Sequence, residues 1–315
     1  MDIIVLGSGS IGSRHVRLLQ QMDPTQHITL VRHDPTRPTN PYGVEEVFEM
    51  SAALDAQPDL AVIASPTAMH IEQAIACADA GCDLFIEKPL GTDLDAAQQL
   101  IDTVDDHGVI THVGCQLRFD PLIQRVRTMH EEDVIGATVA FTARAGSYLP
   151  EWRPDEDYRE SYSASAAMGG GVTLDLIHEF DLLHWLVGPY AVCGGATAAA
   201  PHLAIETEAV AAATLRAESG AVGQVLVDYC RRRPIRQLEL TGTEGSITAD
   251  LIEGRMRIER ANRVDEEEIT AERDDRFRAQ WEYVFERLAN RRPSMNDVAT
   301  ARDVLAAALE VRGDA

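Results

Sequence analysis

The stretch that decides the fold is IIVLGSGSIG, residues 3–12. Its apolar first half predicts a strand, and its second half places glycines in the spacing G-x-G-x-x-G where a helical pattern begins. In this context the backbone can approach a pyrophosphate whose charge rests on the helix N-terminus, although an ordinary strand-to-helix turn is the plain alternative. We therefore predict dinucleotide contacts at Gly7, Gly9, Ser10, Ile11 and Gly12.

Outward from this stretch, short apolar runs alternate with helical patterns, which is typical of a parallel α/β sheet. Strands are predicted at residues 3–6, 28–31, 60–64, 83–86 and 109–113. Helices are predicted at residues 11–21, 44–56, 68–80 and 94–106. We expect a doubly wound Rossmann domain over residues 1–120.

The second part of the chain has a different pattern from about Ala137 onward. Strands with little intervening helix are predicted at residues 138–145, 192–199, 209–217, 221–229, 235–241, 246–250 and 255–260. Helices are predicted at residues 172–186, 277–290 and 296–312, and the acidic run 265–268 is predicted to be a solvated loop. We expect residues 121–315 to form an α+β domain with an open, mainly antiparallel sheet.

Charge and cysteine content limit the partners. The 315 residues include 51 Asp and Glu against 28 Lys and Arg, a formal net charge of -23. This negative field repels phosphodiesters and anionic headgroups, which argues against nucleic acid or a membrane as the main partner. No apolar run approaches the roughly 20 residues of a membrane span, and the start lacks the basic region of a signal peptide. Five cysteines without a C-x-x-C pair indicate reduced thiols in a cytoplasmic protein.

Lys88 is the only lysine, and every other Lys or Arg position is arginine. An acidic, lysine-poor composition suits a salty cytoplasm, where carboxylates keep the surface hydrated, although a high-GC genome would also exchange lysine for arginine. In both cases the chain keeps a single side-chain ammonium.

The end of the second predicted strand decides the nucleotide. It reads Val31-Arg32-His33-Asp34-Pro35. NAD sites usually place a carboxylate here for the ribose, whereas a guanidinium suits bidentate contact with a 2′-phosphate. Arg32, with His33, therefore favours NADP; the alternative is that Asp34 turns in to hold the ribose of NAD.

Four further motifs are more specific than the glycine loop. They are Ser65-Pro66-Thr67 with His70, Glu87-Lys88-Pro89, Gly114-Cys115-Gln116-Leu117-Arg118-Phe119, and Gly169-Gly170-Gly171 followed by Asp175 and His178. Over essentially the whole chain they resemble the family of glucose–fructose oxidoreductase and inositol 2-dehydrogenase, called Gfo/Idh/MocA. Two departures stand out: Asp175 and His178 are three residues apart where many members have four, and Arg32 stands where many NAD-using members carry an acid.

The resemblance implies NAD(P)-dependent hydride transfer to or from a sugar, polyol or sugar derivative, and a homodimer or homotetramer formed through the sheet of the second domain. It implies further cofactor contacts at Ser65, Pro66, Thr67, His70, Glu87, Lys88 and Gln116. Two alternatives are a redox-assisted lyase or glycosidase with tightly bound NAD, and a non-catalytic NADP-binding sensor. The joint presence of Lys88, Asp175 and His178 speaks against the sensor.

Hydride transfer from a carbinol needs a base for the hydroxyl proton and a positive donor for the developing alkoxide. We assign the donor to Lys88, oriented by Glu87, because the carboxyl ends of parallel strands hold ligands. His178 is the predicted general acid/base, and Asp175 is predicted to steer the imidazole or to contact a substrate hydroxyl, since their spacing places both on one face of the predicted helix 172–186. Asp181 shares that face, but no second cluster completes a metal site.

Substrate contacts are predicted in an aromatic, arginine-containing loop and near the fifth strand. Trp152 can stack on a sugar face, while Arg153 and Tyr158 can hold hydroxyls or a carboxylate. A packed loop anchored by its aromatic residues is the alternative. Arg118 can contact substrate or pair across the domain interface. The predicted substrate site comprises Lys88, Arg118, Trp152, Arg153, Tyr158, Asp175 and His178.

Overall fold

The computed structural model describes residues 1–33, 36, 40–152 and 154–314, and these form two compact units. The first unit comprises Met1–Gly114 and Phe277–Arg302, and the second comprises Cys115–Arg276 with the chain from Asp303 onward. The division lies a few residues before the boundary expected at residue 120. The return of Phe277–Arg302 to the first unit was not expected from the sequence.

The first unit is built on a six-stranded parallel sheet in the order β3-β2-β1-β4-β5-β6. The strands are β1 (Asp2–Leu6), β2 (His27–Val31), β3 (Glu45–Val47), β4 (Leu60–Ile63), β5 (Asp83–Glu87) and β6 (Thr111–Gly114). The helices are α1 (Ser10–Met22), α2 (Met50–Leu54), α3 (His70–Asp79) and α4 (Leu94–His107). The predicted Rossmann fold and its five strands are confirmed.

The prediction of one helix over residues 44–56 is wrong. The chain first adds β3 to the sheet edge beside β2, with Thr29 opposite Glu45 and Val31 opposite Val47. Helix α2 is only five residues long and begins at Met50. Pairing with β2 satisfies backbone groups that an isolated short helix would leave to water, and local periodicity does not show this pairing.

Four strands, helix α1 and the returning helix α8 (Arg273–Ala289) share the core of the first unit. Trp281, Val284 and Leu288 of α8 belong to the same core cluster as apolar residues of β1, β2, β4 and β5. Asn296 then binds β6, because its amide donates to the Val113 carbonyl at 2.8 Å and the Val113 N–H donates to the Asn296 carbonyl at 2.7 Å. The returning segment is therefore an integral part of the first unit.

The second unit contains an eight-stranded sheet in the order β14-β13-β12-β11-β7-β10-β9-β8, antiparallel except between β7 and β10. The strands are β7 (Thr138–Gly146), β8 (Tyr190–Ala198), β9 (Val210–Ala217), β10 (Val222–Asp228), β11 (Ile235–Gly242), β12 (Gly245–Asp250), β13 (Arg255–Arg260) and β14 (Arg263–Glu268). The helices are α5 (Pro121–Glu131), α6 (Val172–Asp175) and α7 (His178–Val187), and α9 (Val298–Arg312) closes the chain. The predicted open, mainly antiparallel sheet is confirmed.

Two local predictions in the second unit are wrong. The acidic run 265–268 lies in the edge strand β14, where Asp265 pairs with Arg260 and Arg263 and Glu267 with Arg125. The helix expected at residues 172–186 is interrupted at Leu176 and Ile177, so that α6 and α7 are separate helices. Helix α5 was not expected; it begins with Pro121 after the capping residue Asp120.

Among the described residues, no helix combines the length and the apolar character that crossing a bilayer would require.

Candidate active site

The glycine loop joins β1 to α1 and leaves open space at its centre. Gly9 is the N-cap residue of α1 and has no side chain that could accept a hydrogen bond from the first turn of the helix. A Cβ added at Gly9 would have no described neighbour within 4 Å, whereas one at Gly12 would collide with the Gly7 carbonyl. Gly12 thus permits close helix–strand packing. Gly9 leaves room beside the first turn of α1, which starts with Ser10 and Ile11 and whose N–H groups have no acceptor within the helix itself. These features fit a dinucleotide pyrophosphate.

Arg32 lies just after β2 and is engaged by an acidic partner. Its guanidinium is 4% exposed and donates to Oε1 of Glu46 at 2.8 Å. Hydrogen bonds from Asn40, and then the contact with Arg32, hold the pKa of Glu46 below its ordinary value. A 2′-phosphate would therefore compete with Glu46 for Arg32. His33 is exposed, and Asp34 lies outside the described residues.

The order of the strands brings three predicted cofactor segments to one edge of the sheet. β1, β4 and β5 are neighbours, so the glycine loop, Ser65 and Lys88 all follow the carboxyl ends of adjacent parallel strands. Thr67 is buried and Pro66 exposed, while the Ser65 hydroxyl donates to Oε1 of Gln73 at 2.6 Å. This edge is where open α/β sheets bind their ligands.

His70 links two of these segments. Nδ1 lies 2.9 Å from the Pro89 carbonyl oxygen and Nε2 lies 2.9 Å from the Ser65 carbonyl oxygen. Burial lowers the pKa of His70, even though both carbonyls favour the protonated form. The neutral ring has one N–H and donates to one carbonyl at a time. His70 therefore holds the loop after β4 close to the turn that contains Lys88.

Lys88 is half-buried and stands between Glu87, which is 5% exposed, and Pro89. Glu87 is the last residue of β5, and the peptide bond between Lys88 and Pro89 is cis. The strand end fixes the backbone on one side of Lys88, and the His70 contact with Pro89 fixes it on the other. The lysine therefore projects from a constrained turn at the carboxyl ends of the parallel strands.

In the second unit, Asp175 and His178 lie on either side of the break between α6 and α7. Asp175 ends α6 and is 7% exposed, and His178 begins α7 and is 4% exposed. Asp175 and His178 therefore do not share the face of one continuous helix, as the sequence had predicted, because the backbone leaves helical geometry at Leu176. Both side chains nevertheless remain buried within the same short segment, so they can serve one site.

Tyr229 fixes Asp175. The buried tyrosine hydroxyl donates to Oδ2 of Asp175 at 2.6 Å. Burial, reinforced by the neighbouring Asp175 charge, raises the pKa of Tyr229 well above its usual value. The hydroxyl consequently stays protonated and remains a donor across the physiological range. The sequence did not indicate this residue, because Tyr229 is separated from Asp175 by 54 positions.

The position of the third glycine before α6, Gly171, requires a residue without a side chain. Gly171 has φ +116°, and a Cβ there would collide with the carboxylate of Glu208. That carboxylate accepts from the Thr173 N–H at 3.1 Å, and the Glu208 carbonyl accepts from the Val172 N–H at 3.2 Å. Glu208 therefore caps the start of α6 and holds the segment that carries Asp175. No local sequence signal indicated Glu208.

Arg118 and Gln116 follow β6, but their environments differ. Arg118 is 1% exposed, and its Nε and Nη2 donate to the two carboxylate oxygens of Asp181 at 2.9 and 2.7 Å. This pair lies within the second unit and gives Arg118 a structural partner. Gln116 is half-buried, and its Oε1 has no hydrogen-bond partner among the described residues. Gln116 is therefore the better placed of the two to bind a ligand.

The Arg118–Asp181 pair leads to a stability prediction. Replacing Arg118 with Met should lower the free energy of unfolding by about 3–5 kcal/mol, because it leaves the Asp181 carboxylate buried without its cation. The double variant Arg118→Met/Asp181→Leu should recover much of that loss. Urea denaturation of the two single variants and the double variant measures the coupling. A stable Arg118→Met protein that has lost substrate affinity would instead restore the substrate role.

The aromatic loop of the second unit lies next to Tyr229. The Trp152 ring packs edge-on against the Tyr229 ring, with 5.3 Å between the ring centroids. The indole N–H of Trp152 donates to the Ser147 hydroxyl at 2.6 Å. Trp152 is 38% exposed, and the Tyr229 that it contacts is the same residue that binds Asp175. Tyr158 anchors the loop by donating to the Leu203 carbonyl at 2.9 Å. Arg153 lies outside the described residues.

Asp181 is bound by Arg118 and does not join Asp175 and His178 in a metal site. Throughout the part of the chain that the structure describes, no group of three or more His, Cys, Asp or Glu side chains is arranged to hold a metal ion.

The chain is similar to known proteins over most of its length. Residues 1–115 match a family model described as an oxidoreductase family with an NAD-binding Rossmann fold, and residues 123–248 match the GFO/IDH/MocA C-terminal domain. The myo-inositol 2-dehydrogenase of Thermotoga maritima is 29% identical over 263 residues, 79% of this chain and 75% of that protein. The NAD(+)-dependent scyllo-inositol 2-dehydrogenase of Bacillus subtilis is 29% identical over 261 residues, 77% of this chain and 72% of that protein.

Solved structures share the fold. A levoglucosan dehydrogenase in complex with NADH and levoglucosan superimposes with a TM-score of 0.89 at 18% identity, covering 100% of this chain and 96% of the other. The UDP-N-acetylglucosamine 3-dehydrogenase of Acidithiobacillus ferrooxidans superimposes with a TM-score of 0.82 at 23% identity, covering 100% of this chain and 97% of the other. The two family models together span well over half of the sequence. The chain therefore belongs to the Gfo/Idh/MocA family of oxidoreductases with an NAD-binding Rossmann fold.

Proposed function

We propose that the protein transfers a hydride between a nicotinamide cofactor and a CH–OH group of a sugar, polyol or sugar derivative. The observation that carries the proposal is the placement of Lys88 at the same sheet edge as the open glycine loop. The relatives named as inositol dehydrogenases support the substrate class. The buried pair of Asp175 and Tyr229 supports a prepared acid/base segment in the second unit.

A nicotinamide cofactor bound at the glycine loop and the turn that contains Lys88 would supply the hydride acceptor for oxidation of the carbinol, and the residues of this chain would manage charge and protons. The Lys88 ammonium stabilises negative charge developing on the substrate oxygen. His178 takes the hydroxyl proton, and in the reverse direction it returns that proton. Asp175, held by the Tyr229 hydroxyl, orients the imidazole or a substrate hydroxyl. Trp152 supplies a ring face for the apolar side of a sugar ring.

The direct test is a substrate panel. The purified protein is incubated with NAD⁺ or NADP⁺ and with inositols, aldoses, anhydrosugars and nucleotide sugars, and formation of reduced nicotinamide is followed by absorbance. We expect turnover with at least one polyol or sugar. Tight cofactor binding with no turnover-linked absorbance change over the whole panel would contradict the proposal.

The preference for NADP over NAD remains a prediction, and Glu46 gives a sharper test of it. If Arg32 binds a 2′-phosphate, Glu46→Gln should strengthen NADP binding several-fold, because it removes the carboxylate that competes for the guanidinium. Arg32→Asp should move the preference toward NAD. Dissociation constants for NADPH and NADH from fluorescence titration measure both effects. If Glu46→Gln leaves the ratio of the two constants unchanged, Arg32 does not read the 2′-phosphate.

We propose a homodimer or homotetramer formed through the exposed face of the eight-stranded sheet, where Ala212, Gln224 and Glu239 point outward. Light scattering coupled to size-exclusion chromatography measures the assembly.

A reducing, cytoplasmic location is supported by the five cysteines, all of which are free thiols.

A further inference from the structure

A buried hydrogen-bonded chain ends on the residue next to Lys88. The indole N–H of Trp281 donates to Nδ1 of His15 at 3.1 Å, and Nε2 of His15 lies 2.8 Å from Oε1 of Glu87. Trp281 and His15 are both 0% exposed, and Glu87 is 5% exposed. All three belong to the first unit, on α8, α1 and the last position of β5.

The partners determine which nitrogen of His15 carries the proton. An indole N–H can only donate, so Nδ1 of His15 must accept and is unprotonated. The single proton of the neutral ring is then on Nε2, where it donates to the Glu87 carboxylate. His15 is therefore held as one neutral tautomer that points an N–H at Glu87.

Aromatic packing holds this chain in place. The Phe85 and Trp281 rings stack with their centroids 4.4 Å apart. The His15 ring packs edge-on against Phe85, with 5.0 Å between the ring centroids. The same Oε1 of Glu87 would lie 3.1 Å from a Cβ added at Gly114, so the backbone of β6 also lies close to the carboxylate. The Glu87 carboxylate thus occupies a tight site bounded by a ring N–H and the backbone of β6.

We propose that Trp281 and His15 are positioning residues for Lys88, acting through Glu87. The carboxylate anchors the end of β5, so its fixed position defines where the backbone turns and where the Lys88 ammonium projects. This inference rests on the proposed role of Lys88 in hydride transfer. It adds that the geometry of the lysine depends on a tautomer set by an indole more than 260 residues away.

Two isosteric replacements of His15 separate positioning from packing. The amide nitrogen of Gln reaches the place of Nε2 and can still donate to Glu87, whereas the shorter Asn reaches only the place of Nδ1. We expect His15→Gln to keep kcat within about threefold and His15→Asn to lower it about 10- to 100-fold with cofactor affinity unchanged, as misplacement of a catalytic group does. Equal losses in both variants, or no loss in either, would overturn the proposal.

The single lysine allows a readout that does not depend on activity. Protein labelled with ¹⁵N-lysine gives one backbone amide signal, that of Lys88. This signal should shift or broaden in His15→Asn and remain near its position in His15→Gln; an unmoved signal in His15→Asn would overturn the proposal. Histidine ¹⁵N spectra should show His15 protonated on Nε2. A proton on Nδ1 would likewise overturn the proposal. Should the Lys88 signal respond as expected while Lys88→Ala leaves turnover intact, the error would lie in the proposed function.

Discussion

Replacing Lys88 with alanine is expected to lower kcat about 100- to 1000-fold while leaving the affinity for cofactor close to that of the unchanged protein. The ammonium is proposed to act on charge that develops on the substrate oxygen, so its loss weakens the transition state more than the ground state. Steady-state kinetics give kcat, and fluorescence titration gives the dissociation constant of the reduced cofactor. Turnover equal to that of the unchanged protein would remove Lys88 from the mechanism.

Two further variants separate charge from size at this position. Lys88→Met keeps the length of the side chain without its charge and should lose as much activity as Lys88→Ala. Lys88→Arg keeps the charge on a larger, planar group and should recover only part of the activity, because the turn between Glu87 and Pro89 is constrained. Since Lys88 is the only lysine, amine acetylation has a single side-chain target, and inactivation by it should follow modification of Lys88.

The local secondary structure around the candidate site residues could be predicted from the sequence. The glycine loop is recognisable because strand, turn and helix are consecutive in the chain, and each has its own pattern over a few residues. Lys88 could be placed at a sheet edge for the same reason, since the apolar run of β5 ends directly before it. Such features need no knowledge of distant contacts.

The features that were missed depend on distant contacts. Tyr229 and Asp175 meet across 54 positions, and His15 meets Glu87 across 72. Residues 44–56 have an amphipathic pattern that suits a helix, yet pairing with β2 makes the first part of this segment a strand. The break at Leu176 could not be predicted either, because Leu and Ile are compatible with a helix and the local sequence carries no signal that ends it.

Because Asp175 and His178 lie on separate helices, variants can distinguish the residue that transfers the proton from the residue that orients it. Tyr229 fixes Asp175, so the position of the carboxylate does not rely on His178. Replacing Tyr229 with Phe should lower activity moderately, whereas replacing the acid/base itself should have a far larger effect. Comparing these variants distinguishes a residue that carries the proton from one that orients it.

Replacing His178 with Ala is expected to lower kcat in the oxidation direction about 100- to 10,000-fold, because no other group is proposed to take the hydroxyl proton. In the unchanged protein the base must be unprotonated, so kcat/KM should rise as pH increases through the pKa of the base; this rise should be lost in His178→Ala. Initial rates over a pH series, with the substrate found in the panel, measure both effects.

Added imidazole gives the decisive comparison, since it can enter the space left by His178 and supply the missing base. Rescue should be strong in His178→Ala and absent in Lys88→Ala, where the base is intact and the cation is missing. Tyr229→Phe should also gain nothing, because its loss is one of orientation. If imidazole fails to restore His178→Ala but a small carboxylate restores Asp175→Ala, then Asp175 is the base and the imidazole of His178 orients the substrate.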